Sequence, residues 1–358
     1  MKIYVSMLTI YENNLYGVGY FLKRFFIVNK SEIQRRCLII FCWSDFDIQK
    51  FSGLDDSQMS VVRFPKCFKN PIMRIIIEQL VIPLLLKEKG VFYTPNNILP
   101  LFKRKKLKYV NTIHDMLPFE SSNRFGFARK FYLRYFSSQS IRKSDKVITV
   151  SNYSKNKIQD EFNLSDNSVD VICNTIDARP LANIPRDSNQ LLIIAGLSKD
   201  KRIDMAIEFI YKLINEEPGH ANLQLKICGA DLGYRASLQN KIESLEMNNN
   251  VQLLGYVDLE VKYDLLDSSQ YLLMFGKGEG CGIPILEAHY SGLPVIMTND
   301  SAMPEFATTG DYVINPWCYS SFKNVLNSRK DITKTPNNEY ASDLHQRKLL
   351  KILDSLCR

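Results

Sequence analysis

A chain of 358 residues is longer than one ordinary domain, so two are expected. A hydrophobic share of 45% beside 23% charged residues marks a globular protein and excludes disorder and fibre. The net charge of +8 is regional, because Lys103 to Lys157 holds fourteen Lys/Arg against three Asp/Glu.

From the N-terminus, Ile3–Leu8 reads as a first strand. It runs into Glu12, Asn13 and Asn14 with no small-residue cleavage site, which argues against a signal peptide and predicts cytosolic residence. Tyr16, Gly17 and Gly19 follow in a loop. That loop lacks the third glycine of a dinucleotide fingerprint and is too long for its turn, so an oxidoreductase is not expected. Apolar, β-branched runs recur at Cys37–Trp43, Val61–Phe64, Val91–Tyr93, Lys108–Ile113, Lys146–Val150 and Val169–Cys173. They continue at Leu191–Ala195, Leu223–Cys228, Val251–Leu254, Tyr271–Phe275, Pro294–Thr298 and Tyr312–Ile314. Strands separated by amphipathic segments predict parallel sheets with crossover helices.

Between these runs, Asp45-Phe46-Asp47 imitates a D-x-D metal motif without companion ligands, and reads as a turn or helix cap with no metal. The apolar window Ile75–Leu86 is too short to span a bilayer and contains Glu78 and Pro83, so it reads as a buried helix. Lys103–Lys108 and Arg124–Arg134 interleave basic and aromatic residues. This pattern fits a solvated loop and amphipathic helix as well as an anionic membrane surface; no nucleic-acid-binding motif accompanies it. His114 directly follows an apolar strand, at the edge where open α/β sheets bind ligands. Asp115 beside it is explained equally by capping and by catalysis. Residues 179–190 include Pro180 and Pro185 without periodicity and read as a linker. Eight scattered cysteines without C-x-x-C pairs read as reduced thiols, not as zinc ligands or disulfides.

The most informative stretch is Glu279-Gly280-Cys281-Gly282-Ile283-Pro284-Ile285-Leu286-Glu287. On one continuous helix its two glutamates would stand about 80° apart. A loop followed by a helix fits better, with Pro284 at the first helical position, Glu279 in the loop and Glu287 one turn inside. The N–H groups of Cys281, Gly282 and Ile283 would then offer an anion site with carboxylates on its rim. Phosphate and sugar oxygens together predict a nucleotide sugar. Ligands in open parallel sheets sit after the carboxyl ends of strands, so Tyr16–Gly19, His114–Pro118, Gly196–Arg202 and Gly276–Gly282 are the loops expected to carry function.

These residues resemble a known family. Gly278 to Pro294 is similar to the E-x7-E signature of the retaining glycosyltransferases of GT-B fold, family 4, matching both glutamates, both loop glycines and both prolines. Ile193 to Asp204 resembles the family's strand–turn–helix, and Lys201 matches the lysine that neutralises the donor diphosphate. The family's arginine after Gly196 is absent, leaving Lys199 and Arg202 as substitutes. Phe92–Asn96, Thr112–Pro118 and Val150–Ser154 resemble stations of the mannosyl- and rhamnosyl-transferring members, and Tyr16–Tyr20 their N-terminal glycine loop. The likeness runs from about residue 1 to about 325.

The resemblance implies a GT-B fold, two Rossmann-like parallel-sheet domains facing across a cleft. They would be 1–178 on the acceptor side and 191–338 on the nucleotide-sugar side, with a helix in 339–358 packing back on the first. It implies retaining transfer of a hexose, mannose-like by preference, from a nucleoside diphosphate sugar to a glycan or polyprenyl-diphosphate-linked saccharide in surface-polysaccharide assembly. Neither metal nor cofactor is implied, and the enzyme would work in the cytoplasm or on the inner membrane face. His114, Glu279 and Lys201 would be catalytic. Gly17, Gly19, Gly196, Lys199, Arg202, Gly280, Cys281, Gly282, Ile283 and Glu287 would bind the donor, with Tyr16, Asp115 and Ser151 near the acceptor or unassigned. A non-catalytic binder of this fold and a nucleotide-sugar epimerase are the alternatives.

Overall fold

The computed structural model describes residues 2–11, 17–119, 126–181, 185–328 and 343–356. These form two compact units, one of residues up to 119, 126–175 and from 343 onward, the other from 176 to 328. The first contains strands β1 (Lys2–Ser6), β2 (Cys37–Trp43), β3 (Ser60–Phe64), β4 (Gly90–Thr94), β5 (Leu107–Ile113), β6 (Lys146–Thr149) and β7 (Val169–Val171). The second contains β8 (Gln190–Ile194), β9 (Gln224–Cys228), β10 (Val251–Gly255), β11 (Tyr271–Met274), β12 (Val295–Thr298) and β13 (Tyr312–Ile314).

Every pairing is parallel, as Ile3 opposite Leu38 and Leu272 opposite Val295 illustrate. The strand orders are β3-β2-β1-β4-β5-β6-β7 and β10-β9-β8-β11-β12-β13. Each sheet therefore reverses its winding once, between β1 and β4 in the first unit and between β8 and β11 in the second. Such strands are covered on both faces, which is why β4 is buried along its whole length and shows no alternation. In the second unit Ile193, Leu225 and Leu273 of the sheet pack with Ile207, Phe209 and Ile210 of the helix Ile203–Glu216. In the first, Phe41, Trp43, Phe92 and Tyr109 meet Ile77 and Ile82.

Two sequence expectations are corrected here. Gly17 and Gly19 do not lie in a loop; they form the opening turn of the helix Gly17–Val28, where Gly19 is buried. The window expected to be a buried helix is helical, as Pro71–Ile76, a π turn Ile77–Val81 and Ile82–Leu85, but only half buried. Ile77, Gln79 and Ile82 face inward, whereas Ile72, Ile76, Leu80 and Leu84 are exposed. A segment apolar on all sides can present only one side to a sheet, and periodicity could not reveal which side stays bare.

The C-terminal helix Leu344–Leu356 completes the first unit, burying Leu349, Leu350 and Leu353. Arg24 pairs with Asp343 at 3.0 Å, Asn29 Nδ2 donates to the Gln346 carbonyl at 3.1 Å, and Arg36 Nε donates to Asp354 at 2.8 Å.

Candidate active site

At a winding reversal the loops leaving the two central strands diverge and open a crevice above the sheet's carboxyl edge. In the second unit those loops follow β8 and β11. Lys201 ends a single turn, Lys199–Lys201, after β8; Glu279 lies between β11 and the helix Ile283–Tyr290. Across the reversal Lys201 Nζ forms an ion pair with Glu279 Oε1. Their side chains are only 16% and 17% exposed, so the pair is less screened than a surface bridge. The Lys277 N–H donates to the Asp200 carbonyl at 2.8 Å and fastens the same two loops. Glu279 rests against Gly276, where a Cβ would come within 2.7 Å of Oε1. A glycine is what admits the carboxylate.

Arg202 follows Lys201 in a left-handed conformation, φ 50°, rare for a non-glycine residue. Its guanidinium reaches Asp300 after β12 at 2.7 Å and lies 5.5 Å from the Trp317 ring after β13. Its Nη1 is buried and has no hydrogen-bond partner among the described residues. Gly282, at φ 81° and ψ 65°, precedes the helix Ile283–Tyr290. A side chain there would cost about 1–2 kcal/mol. The helix starts one residue earlier than expected, so Pro284 is its second residue, still within the turn whose N–H groups have no helical acceptor. One turn on, Glu287 pairs with Lys262 of the helix Leu259–Ser268 at 2.6 Å.

In the first unit His114 follows β5, beside that sheet's own reversal. Its Nε2 lies 2.9 Å from the carbonyl oxygen of Pro95, just past β4. Since a carbonyl only accepts, Nε2 carries the proton. Phe21, from the helix after β1, meets the ring edge-on at 5.3 Å. Burial pushes the His114 pKa down to about 4, against the opposing pull of the Pro95 carbonyl. The imidazole is therefore neutral at pH 7.

Comparison with known proteins bears on the family and the fold. Residues 92–179 match the family model described as Glycosyltransferase Family 4, and residues 175–338 match that of Glycosyl transferases group 1. Together they span more than half of the chain. It belongs to the group 1 glycosyltransferases. Among curated relatives, the O-antigen chain mannosyltransferase RfbU of Salmonella typhimurium is 26% identical over 250 residues, 70% of this chain and 66% of RfbU. An uncharacterized glycosyltransferase of Methanocaldococcus jannaschii is 27% identical over 49% of this chain and 46% of that protein. The matches thus span from about half to about two thirds of these relatives. Among solved structures, HepE of Anabaena, in complex with UDP and glucose, superposes with a TM-score of 0.70 at 15% identity, covering 99% of this chain and 100% of HepE. The pneumococcal O-GlcNAc transferase GtfA, in complex with UDP and GlcNAc, gives 0.70 at 13% identity, covering 99% of each chain. Both likenesses establish the GT-B fold.

In this glycosyltransferase, Gly196, Arg202, Lys201, Gly280, Cys281 and Gly282 all fall in the loops around the second unit's reversal, and Ile283 opens the helix that follows. Lys199 is there too, but exposed. Other candidates have structural duties. Asp115 accepts the Leu117 N–H at 3.1 Å, capping the turn Leu117–Phe119. Ser151 is buried and accepts the Ser154 N–H at 3.2 Å, capping the helix Asn152–Phe162. Tyr16 lies outside the described residues. Asp47 caps the helix Ile48–Ser52, and Asp45 pairs with Lys69 at 2.7 Å, so ordinary structural bonds account for the D-x-D triplet. Among the described residues no three metal-ligating side chains converge, and no helix is long and apolar enough to cross a membrane. Sequence reading missed Asp300, Trp317 and Lys262. Asp300 offered a signal, an acid two residues past an apolar strand; Lys262 offered none.

Proposed function

We propose that this glycosyltransferase moves a hexose, with mannose favoured, from a nucleoside diphosphate sugar to a hydroxyl of a glycan or lipid-linked saccharide in surface-polysaccharide assembly, with retention of configuration. What carries the reading is the Lys201–Glu279 ion pair across the β8/β11 reversal, beside the start of the helix Ile283–Tyr290. A lysine held there by a carboxylate is a cation that an incoming diphosphate can claim, releasing the carboxylate to sugar hydroxyls. The relatives support the same direction: RfbU is an O-antigen chain mannosyltransferase, and HepE and GtfA are seen with UDP and a sugar.

In this scheme the anomeric C–O bond to the diphosphate breaks and a C–O bond to the acceptor oxygen forms on the same face. The acceptor's proton passes to the departing phosphate oxygen. Charge builds on the leaving group, so fixed donors contribute most: Lys201, the helix N-terminus and Arg202. Arg202 suits the role of the absent family arginine better than Lys199, because its side chain is only 13% exposed and its Nη1 is unclaimed among the described residues. Glu287 is assigned to the ribose hydroxyls. Neutral His114 serves as a hydrogen-bonding group toward the donor sugar, not as a cation. The chemistry calls on no metal.

Thermal shift with GDP-, UDP- and dTDP-sugars tests the donor, since a ligand bound only by the native state raises the Tm. One base should stand out, and Lys201→Ala should erase its shift. If no nucleotide sugar shifts the wild type, or if Glu279→Ala and Lys201→Ala transfer sugar at the wild-type rate, the proposal fails.

A further inference from the structure

In the first unit, the exposed apolar side chains Ile72, Ile76, Leu80 and Leu84 recur every fourth residue along the segment Pro71–Leu85. On an α-helix that spacing drifts by about 40° per step. The wider π turn Ile77–Val81 works against the drift and keeps the four on one side. The stripe is about 18 Å long, running from where β3 ends toward where β4 begins. At its far end Arg104 Nε donates to the Pro83 carbonyl at 2.8 Å, which fastens the basic loop against the stripe. Phe102, 68% exposed, adds to the apolar surface just before that loop.

The loop borders a groove of about 970 Å³ at the amino ends of β4 and β5, lined by seven cationic side chains and two carboxylates. Both carboxylates are engaged: Asp145 by Lys103 and Lys108 at 2.9 and 3.1 Å, Glu88 by Lys2. Lys87, Lys89, Lys105 and Lys106 have no ion pair among the described residues. Clustered unpaired cations call for an external anion, and the stripe beside them calls for an apolar phase.

We propose that this face, the Ile72–Leu84 stripe with Phe102 and the Lys87–Lys106 groove, docks the protein onto a bilayer of anionic lipids. A soluble polyanion would satisfy the lysines and leave the stripe in water. A bilayer satisfies both, with apolar side chains entering the headgroup boundary and lysines meeting lipid phosphates. The inference extends the lipid-linked acceptor of the proposed function, on whose reading it rests, to a specific surface, and its residues all belong to the first unit.

The test is co-sedimentation with vesicles of phosphatidylcholine, with and without phosphatidylglycerol, needing no sugar donor. Wild-type protein should bind the phosphatidylglycerol vesicles and release them as salt rises. Lys105→Ala/Lys106→Ala should weaken binding about 25-fold, at about fivefold per cation. Leu80→Ser/Leu84→Ser should weaken it at least about tenfold, and both variants should keep wild-type transfer to a soluble acceptor. The proposal is overturned by absence of vesicle binding, by equal binding to phosphatidylcholine alone, or by full binding of the leucine variant. It also fails if that variant dissociates a solution dimer that had covered the stripe. Loss of transfer with intact vesicle binding would overturn only the enzymatic reading.

Discussion

Lys201 and Glu279 neutralise each other at a place where a diphosphate would need the lysine alone. Removing one partner therefore acts twice. Lys201→Ala deletes the cation and leaves a partly buried carboxylate facing the anion, so transfer should fall by about 10²–10³ in kcat/KM. Deleting Glu279 as well should restore part of the donor affinity, though not the rate, and a double-mutant cycle on both constants measures this. Strictly additive effects would mean that the pair is not where the donor binds. Gly276→Ala probes the same contact without touching either charge. The added methyl would displace the carboxylate, a flexible group, so the Tm should stay close to wild type while transfer drops. His114 gives a pH signature. Its folded pKa of about 4 lies below about 6.5 in the unfolded chain, so below pH 6.5 the unfolded state takes up a proton that the folded state refuses. Stability from this group is intact above pH 6.5 and is lost as pH falls toward 4, by up to about 3 kcal/mol. Urea midpoints for wild type and His114→Asn should diverge in that window and run parallel above it. At this scale the sequence showed the residues whose neighbours constrain them, such as Glu279 beside its glycines. It concealed Lys262 and Trp317, whose importance comes only from partners distant in the chain.

Elements were easier to read than residues, for a reason seen in β2 and β4. A strand covered on both faces must be apolar throughout, and a short apolar run bounded by polar residues betrays it even in a single sequence. Helices announce a face only if they are amphipathic, which is why the Pro71–Leu85 segment misled. The opening of Gly17–Val28 misled differently, because a glycine pair permits a loop and close helix packing alike. The π turn in the first of these segments also carries a cost. The Glu78 side chain is only 13% exposed there, 3.8 Å from Arg74 Nε, and desolvation raises its carboxyl to about 7. With the folded pKa above the unfolded one, its contribution is fully present below about pH 4.5 and is lost as pH climbs through 7. Glu78→Gln should thus stabilise the protein at pH 8, by up to about 3 kcal/mol, and do nothing at pH 4. Chemical denaturation at the two pH values decides it; an equal change at both would place the carboxylate in water. The helix Ile283–Tyr290 is anchored more firmly. His289 at its end bonds Asp311 at 2.7 Å, and Asp311 also accepts the N–H groups of Val295 and Thr308 at 2.7 Å each. That network holds the helix whose first turn the donor is proposed to use.

The whole chain divides into two units with separate sheets and separate cores, and the residues proposed to grip the nucleotide all belong to the second. A nucleoside diphosphate should then stabilise one unit and leave the other's intrinsic stability unchanged. Binding to the native state alone adds about 2.7 kcal/mol at a ligand concentration 100 times Kd. Amide hydrogen exchange separates the units directly. Saturating nucleoside diphosphate of the preferred base should slow exchange in β8, β11 and the helix Ile283–Tyr290, whose backbone groups open only when the second core does. Exchange in β2 and β3, at the far edge of the first sheet, should not change. Lys201→Ala should abolish the effect at the same nucleotide concentration. Uniform protection of both units would mean that they unfold as one body, and protection confined to β1 and β4 would move the donor to the first unit. Either result would separate the nucleotide from the carboxylate and lysine that the β8/β11 reversal brings together.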